Sequence, residues 1–360
     1  MALPASGTIS LNQCHIELGA SSGTSVSMND SDMRSLANVS SGAISLSNFH
    51  GKSAETSLPS GGNVNGQAQL KGINASSYIS SGGTLRIPSS MWVWSDSTST
   101  AALTIDIPCT VINDGKIIGC GGAGSTIGWQ SVTTPGAGGA AINVTSSGVT
   151  ITNSSGAYIA GGGGGGASSA PTHLSGTFQM GAGPGGGGAG GGSGGRGGAV
   201  SGSGNANTTI TGGSYAAGGA LNATGADGSY EQPTGSLYAQ NGHGGGAGGG
   251  AGGQGNQQYY ADAGAGGRIL PGSGGSGGAV SSGGRSVAGT AGGSAGNAGV
   301  NNTTYRYYSG QPGYGGGGGG GWGASGGSSY GGYTAGGSGG AAISGTSRSL
   351  SNSGTIYGST

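Results

Sequence analysis

In three stretches of this chain a side chain stands on every third residue with two glycines in each gap: Ser193, Arg196 and Ala199; Ser273, Ser276 and Ala279; Ala335, Ser338 and Ala341. The same three-residue spacing returns at Ala291, Ser294 and Asn297. An extended helix with three residues per turn stacks every third residue on one side and leaves bare backbone on the other two. Such chains pack tightly where only glycine fits the contact. All-glycine runs such as Gly161–Gly166 and Gly315–Gly321 then suit central arms of a bundle. Runs with a side chain at every third position suit outer arms that show it to solvent.

Glycine supplies 97 of the 360 residues and proline only 10. Without a strict G-X-Y repeat, that composition ordinarily means low complexity or disorder. Here the register is kept locally in separate places, which a floppy chain has no reason to do. Collagen is excluded because proline is scarce and each register lasts only a few turns. Only 13 glycines precede residue 121 and 84 lie from it onward, so the organisation reads as 1–55, 56–120 and 121–360. In the last part the runs Gly161–Gly166, Gly181–Gly198, Gly242–Gly253, Gly272–Gly278, Gly289–Gly299 and Gly313–Gly321 read as antiparallel arms crossing up and down. Their backbone groups have no partner inside their own chain and must satisfy one another.

Ten basic and ten acidic residues cancel, and no basic stripe exists to neutralise phosphates, so nucleic acid is not an expected partner. The opening MALPASGTIS has no charged n-region or apolar h-region, so no secretory signal is expected and synthesis is expected in the cytosol. No apolar run reaches the length of a membrane span, so no membrane insertion is expected. Cys14, Cys109 and Cys120 form no CxxC pair and are too few for a disulfide framework. No cofactor or metal is expected.

Residues 1–55 carry a repeated phrase, Gly7-Thr-Ile-Ser-Leu and Gly42-Ala-Ile-Ser-Leu, followed at matching offsets by Cys14-His15 and Phe49-His50. Between the copies, Asn29 or Ser31 is placed to cap a short helix with Asp32 in its first turn and Met33 and Leu36 on one face. So few apolar residues bury little core, which reads as a module that docks onto something larger. His15 and His50 read as structural or surface groups. In 56–120, Leu85-Arg-Ile-Pro, Met91-Trp-Val-Trp and Leu103-Thr-Ile-Asp-Ile-Pro alternate as strands, with Trp92 and Trp94 on one face packing against neighbouring strands. A second repeat joins Val111-Ile-Asn-Asp-Gly-Lys-Ile-Ile-Gly, Ile151-Thr-Asn-Ser-Ser-Gly-Ala-Tyr-Ile-Ala-Gly and Leu350-Ser-Asn-Ser-Gly-Thr-Ile-Tyr-Gly. Each copy reads as a hairpin-like pair of strands about an Asn/Asp/Ser-Gly turn. The copies are expected to bring residues 141–160 beside 342–358.

The segments between glycine runs hold most of the later aromatic residues: Trp129; His173, Phe178 and Met180; Tyr230 and Tyr238; Tyr259 and Tyr260; Tyr305, Arg306, Tyr307 and Tyr308; then Trp322, Tyr330 and Tyr333. Tyr and Trp amid Ser, Asn and Gly is also the composition of antibody paratopes, and loops on a rigid scaffold commonly carry binding. The Tyr305–Tyr308 cluster is the most specific, since arginine between tyrosines both stacks and pairs. The candidate binding residues are therefore Trp129, Phe178, Tyr230, Tyr238, Tyr259, Tyr260, Tyr305, Arg306, Tyr307, Tyr308, Trp322 and Tyr330. Catalysis finds little support. Asp227 and Glu231 share one loop, but nothing fixes the separation a glycosidase needs, and there is no GxSxG.

Asn113-Asp-Gly-Lys-Ile-Ile-Gly-Cys-Gly-Gly-Ala-Gly, and Ile151 to Ala160 followed by six glycines, resemble the tail-fibre adhesins of T-even-type bacteriophages. The resemblance covers residues 106–360. It implies a mostly irregular, all-β chain: a small N-terminal attachment module, a β-rich middle, and a sandwich of polyglycine II helices joined by receptor-binding loops. It further implies a virion tail or fibre-tip location, with a tail-fibre or tail-tip protein held through residues 1–55. The implied receptor is a bacterial outer-membrane protein or lipopolysaccharide. The opening, Ile9-Ser-Leu to Ile44-Ser-Leu-Ser-Asn-Phe-His-Gly-Lys-Ser, looks like the start of other phage tail proteins and departs from the tryptophan-rich start of the T-even adhesins. The alternatives are a purely structural virion component, then an ice-binding bundle, then a depolymerase.

Overall fold

A computed structural model describes residues 3–168 apart from 19, 53, 60, 61, 65, 66, 129 and 130, then 187–192, 290–301, 316–329 and 334–360, with the backbone of short strands between 230 and 313. The described chain is mainly β-strand with few helices.

The N-terminal module holds α1 (Leu11–Glu17), α2 (Ser31–Ala37) and a 3-10 turn (Leu46–Phe49). The repeated phrase is a repeated cap. Gly7 and Gly42 take positive φ, and Ser10 and Ser45 then close capping boxes with Gln13 and Asn48. Each box aims its helical turn inward, so Cys14 and Phe49 are fully buried with Ile9, Met33 and Leu36. Met33 and Leu36 share the inner face, and the N-cap of α2 is Asp30, between the two residues expected there. The Asp30 carboxylate accepts instead from the Ser27 N–H, closing the turn before the helix.

Fourteen strands follow up to residue 160: β1 (Glu55–Ser57), β2 (Gly62–Val64), β3 (Gln67–Lys71), β4 (Ile73–Asn74), β5 (Thr84–Ile87), β6 (Met91–Trp94), β7 (Leu103–Ile105), β8 (Thr110–Asn113), β9 (Lys116–Ile118), β10 (Ile127–Gly128), β11 (Ser131–Val132), β12 (Ile142–Val144), β13 (Val149–Asn153) and β14 (Tyr158–Ala160). Short strands come next: β15 (Tyr230–Glu231), β16 (Tyr238–Ala239), β17 (Gly255–Asn256), β18 (Tyr259–Ala261), β19 (Ala279–Ser282), β20 (Arg285–Ala288), β21 (Arg306–Tyr308) and β22 (Gln311–Gly313). The last are β23 (Ile343–Gly345), β24 (Arg348–Asn352) and β25 (Thr355–Tyr357).

Three walls form a solenoid. The first runs β1-β5-β8-β13-β24, the second β2-β3-β6-β9-β14-β25 and the third β4-β7-β12-β23, all parallel except the β2–β3 pair. The three copies of the second sequence repeat are not hairpins. In each, the strand before the turn lies on the first wall and the strand after it on the second, and both pair with the neighbouring copy. The asparagine that reads as a hairpin turn residue goes into the stack instead. Asn113 Nδ2 donates to Asn153 Oδ1 at 2.8 Å, and Asn153 Nδ2 to Asn352 Oδ1 at 2.8 Å. Residues 142–160 and 343–357 thus lie side by side, as expected, and the ladders run on past residue 120.

The interior is a column of Leu85, Val111 and Ile151 beside Val93, Ile117 and Ile159, and Leu103, Ile105 and Ile142, all fully buried. Each contributes about 1.5–3 kcal/mol. Outside the first wall, Arg86 grips Glu55 through Nε at 2.6 Å and Nη2 at 3.1 Å, and also pairs with Asp114, tying β1 to the ladder.

Glycine arms leave the corner after the second wall and return before the third. The arm 161–168 is wholly buried and bonds to six others. Gly162 and Gly165 donate to Gly139 and Gly136; Gly164 and Ala167 donate to Ala324 and Gly327; Gly163 donates to Ala189. Gly163 and Gly166 accept from Gly122 and Ser125, Gly162 and Gly165 from Gly340 and Gly337, and Gly164 and Ala167 from Gly320 and Gly317. All of these neighbours except the Ala189 arm are met again three residues later. A Cβ on Gly162, Gly164 or Gly165 would overlap a carbonyl of an adjoining arm. The arm 316–322 is buried in the same way. In the outer arm 335–341, Ala335 and Ser338 are exposed while Gly337 and Gly340 are buried. The Ala291–Asn297 spacing is broken by a turn, where the Asn297 N–H donates to the Ser294 carbonyl. The expected outer arms carrying Ser193, Arg196 and Ala199, and Ser273 and Ser276, lie outside the described residues, while Ala279 begins β19.

Ordering each glycine backbone costs about 1–2 kcal/mol, against about 0.5–1.5 kcal/mol net for each hydrogen bond. Arms alone therefore roughly break even, and anchorage on a packed solenoid decides whether they stay ordered.

Candidate functional site

The arms have a near end on the solenoid and a far end away from it. At the near end the Gly161 N–H donates to the Tyr357 carbonyl and the Gly119 N–H to that of Ala160. There the fully buried Trp322 packs with Trp92, Ile118, Ala160 and Ala189 on the outside of the second wall. Trp92 and Trp94 do share that face, each with a lysine over its ring, Lys116 at 5.7 Å and Lys71 at 5.9 Å. The Trp94 Nε1 donates to Gln69 at 2.7 Å.

At the far end the hydroxyls of Ser125 and Ser168 lie 2.6 Å apart, and that of Thr334 donates to the Ser168 carbonyl at 2.9 Å. Asn301 Oδ1 accepts from the Ser328 N–H at 2.7 Å, and the Thr290 hydroxyl donates to the Gly316 carbonyl at 2.6 Å. Arms 119–125, 161–168, 297–301 and 324–329 run outward, while 136–141, 290–294, 316–322 and 334–342 run back. The chain therefore makes its 126–135, 302–315 and 330–333 connections from this end, and 169–186 departs from it.

These connections sort the candidate residues. Trp129, Phe178, Tyr305 and Tyr330 lie outside the described residues. Arg306, Tyr307 and Tyr308 form β21, paired antiparallel with β22 within the 302–315 connection. Tyr230, Tyr259 and Tyr260 come together on one small sheet, β15-β18-β17, with Tyr260 paired to Glu231 and Gly255. Tyr238 lies on the β16-β19-β20 sheet, whose last strand ends two residues before Thr290. Among the described residues, Val300 stands out at this end as a large apolar side chain 48% exposed.

Trp322 is the correction. It has no exposure, sits at the near end, and takes part in the joint between arms and solenoid. Sequence position misplaces it because its run returns toward the solenoid and its neighbours Gly321 and Gly323 look like those of a loop. Trp92, Ile118, Ala160 and Tyr357, which seat it, come from four rungs, and only the pairing brings them together. The two histidines hold loops: His15 Nδ1 lies 3.3 Å from the Thr24 hydroxyl and His50 Nδ1 3.2 Å from the Pro4 carbonyl. Among the described residues, no group of three His, Cys, Asp or Glu side chains is placed to hold a metal.

A solenoid carrying mutually bonded glycine arms, whose outward arms end together, defines a rigid scaffold. The phage tail fibre adhesin Gp38 family matches residues 60–270, more than half of the chain, and the chain belongs to that family. It is a receptor-binding adhesin of the virion tail fibre. No curated protein matches it. The gp37-gp38 adhesin tip complex of the bacteriophage S16 long tail fibre is similar over 96% of both chains, at 16% identity and a TM-score of 0.40.

Proposed function

We propose that the far-end connections are the receptor-contacting surface, with Trp129, Phe178, Tyr230, Tyr238, Tyr259, Tyr260, Tyr305, Arg306, Tyr307, Tyr308 and Tyr330 as its contact residues. The observation that carries this is convergence: the aromatic connections start from one end, beside exposed Val300, while the other end is buried on the solenoid. Contact is non-covalent, with no chemical step. The arms are read as a polyglycine II sandwich, supported by five of the six neighbours of 161–168 recurring three residues on. The sandwich makes the tip rigid, so its loops lose little entropy on binding.

The receptor class proposed is an outer-membrane protein or lipopolysaccharide of the host. Residues 1–55 are proposed as the module that holds a tail-fibre protein. Exposed Ile16 and Leu46, at 46% and 36%, offer that partner apolar contacts.

Exchanging Val300–Pro312 and Ala226–Asn241 for Gly-Ser linkers of equal length tests the reading. Phage carrying the exchanged adhesin are expected to keep the protein on the particle and lose adsorption to the host. Adsorption and host range retained through both exchanges would sink it. Loss of the protein from the particle would favour a structural role inside the tail.

A further inference from the structure

The two ends of the solenoid are built differently. At the first rung β1 closes the first wall, Thr56 standing beside Leu85, and Ala54, which packs on the core of the N-terminal module, accepts from the Thr84 N–H. At the last rung no strand lies beyond β24 among the described residues. Leu350 occupies the register of Ile151, Val111 and Leu85, which are fully buried, yet it is 37% exposed. Ile356, in the register of fully buried Ile159 and Ile117, is only partly covered.

The asparagine stack gives this opening a direction. The Gly115 N–H donates to Asn113 Oδ1 at 3.1 Å, which leaves Asn113 Nδ2 to donate onward to Asn153, and Asn153 Nδ2 to Asn352. Asn352 Oδ1 is filled, while its Nδ2 has no partner among the described residues and sits on the exposed rung. A partner that fits must bring an extended strand parallel to β24, an apolar side chain against Leu350 and a side-chain carbonyl against Asn352. Such a strand repeats the pattern of Val149–Asn153. The first rung of a second copy does not meet that need, because it would set Thr56 on Leu350 and Leu58 on Asn352.

We infer that the last rung is a docking edge for a strand-forming segment of another protein, which adds as a further parallel rung with an asparagine in the ladder position. Strand addition draws affinity from main-chain hydrogen bonds and specificity from alternate side chains, here the Leu350 and Asn352 registers. The readout here is peptide binding and that of the proposed function is host adsorption, so either can fail alone.

The test uses the full-length protein and a labelled peptide copying residues 147–160. Wild type is expected to bind it saturably, and Leu350→Lys, or Asn153→Leu in the peptide, to weaken binding about tenfold or more. Asn352→Leu, on the exposed rung, provides a second variant should Leu350→Lys fail to fold. No saturable binding by folded wild type, or equal binding by the variants, would overturn the inference. A wild-type dimer that Leu350→Lys makes monomeric would overturn it too, by naming a second copy as the occupant.

Discussion

Gly318 shows how little room a residue has in the arms. A Cβ there would overlap the Ala291 carbonyl, which is backbone and cannot swing away. Gly318→Val is therefore expected to cost more than about 4 kcal/mol, the range reserved for core disruption, and to lower the melting temperature or abolish folding. Ser338→Asn, on the exposed face of an outer arm, is expected to stay within about 0.5 kcal/mol. Equal melting of wild type and Gly318→Val would refute the close packing. Trp322 makes the opposite kind of claim. Its indole N–H is buried with no acceptor among the described residues, so phenylalanine removes an unpaired donor while keeping most of the packing. Trp322→Ala is expected to cost about 3–5 kcal/mol and Trp322→Phe far less, with host adsorption by the phenylalanine variant unchanged.

Among elements, the joint between β1 and the ladder carries charge. The Arg86 guanidinium holds the Glu55 carboxyl below its usual range against the effect of burial. Burial pushes Asp114 the other way, but hydrogen bonds from Ser154 and Arg86 outweigh it and that carboxyl also ends low. Arg86 is raised in turn. Folded-state values below the unfolded carboxylate values of about 4 mean that this stabilisation is present at neutral pH and fades as pH falls through the depressed values. Melting temperature is expected to drop on acidification below about pH 4, and to drop less in Glu55→Gln, which starts lower at pH 7. Parallel acid profiles for the two proteins would remove the clamp from the account. The strands themselves were legible as alternating runs, and the short helix by its capping residues and its Met33–Leu36 face. The partner of each strand was not, because Asn-Asp-Gly and Asn-Ser-Ser-Gly serve a hairpin turn and a solenoid corner equally well.

At the scale of the whole molecule, the glycine arms are an insertion at a solenoid corner. Gly340 donates to Gly162 at 2.7 Å, so the long excursion between them starts and finishes at one place. Removing residues 163–339 and joining Gly162 to Gly340 through a short Gly-Ser link is expected to leave the module and solenoid folded, with a cooperative melt, and to abolish adsorption to host cells. A shortened chain that does not fold would show that the arms support the solenoid as much as it supports them.

The sequence by itself determined the material of each part. A three-residue glycine register allows only backbone-to-backbone packing, alternating Leu, Ile and Val allow a strand with one buried face, and repeated Asn-Gly turns allow stacked copies. The tertiary structure alone decided which ends meet. Whether a residue stands at the far end or against the solenoid depends on whether its arm runs outward or back. Trp322 and Val300 each follow a glycine run in the chain, yet one is fully buried and the other 48% exposed. Direction along an arm leaves no mark in local composition, because glycine packs the same way in either sense.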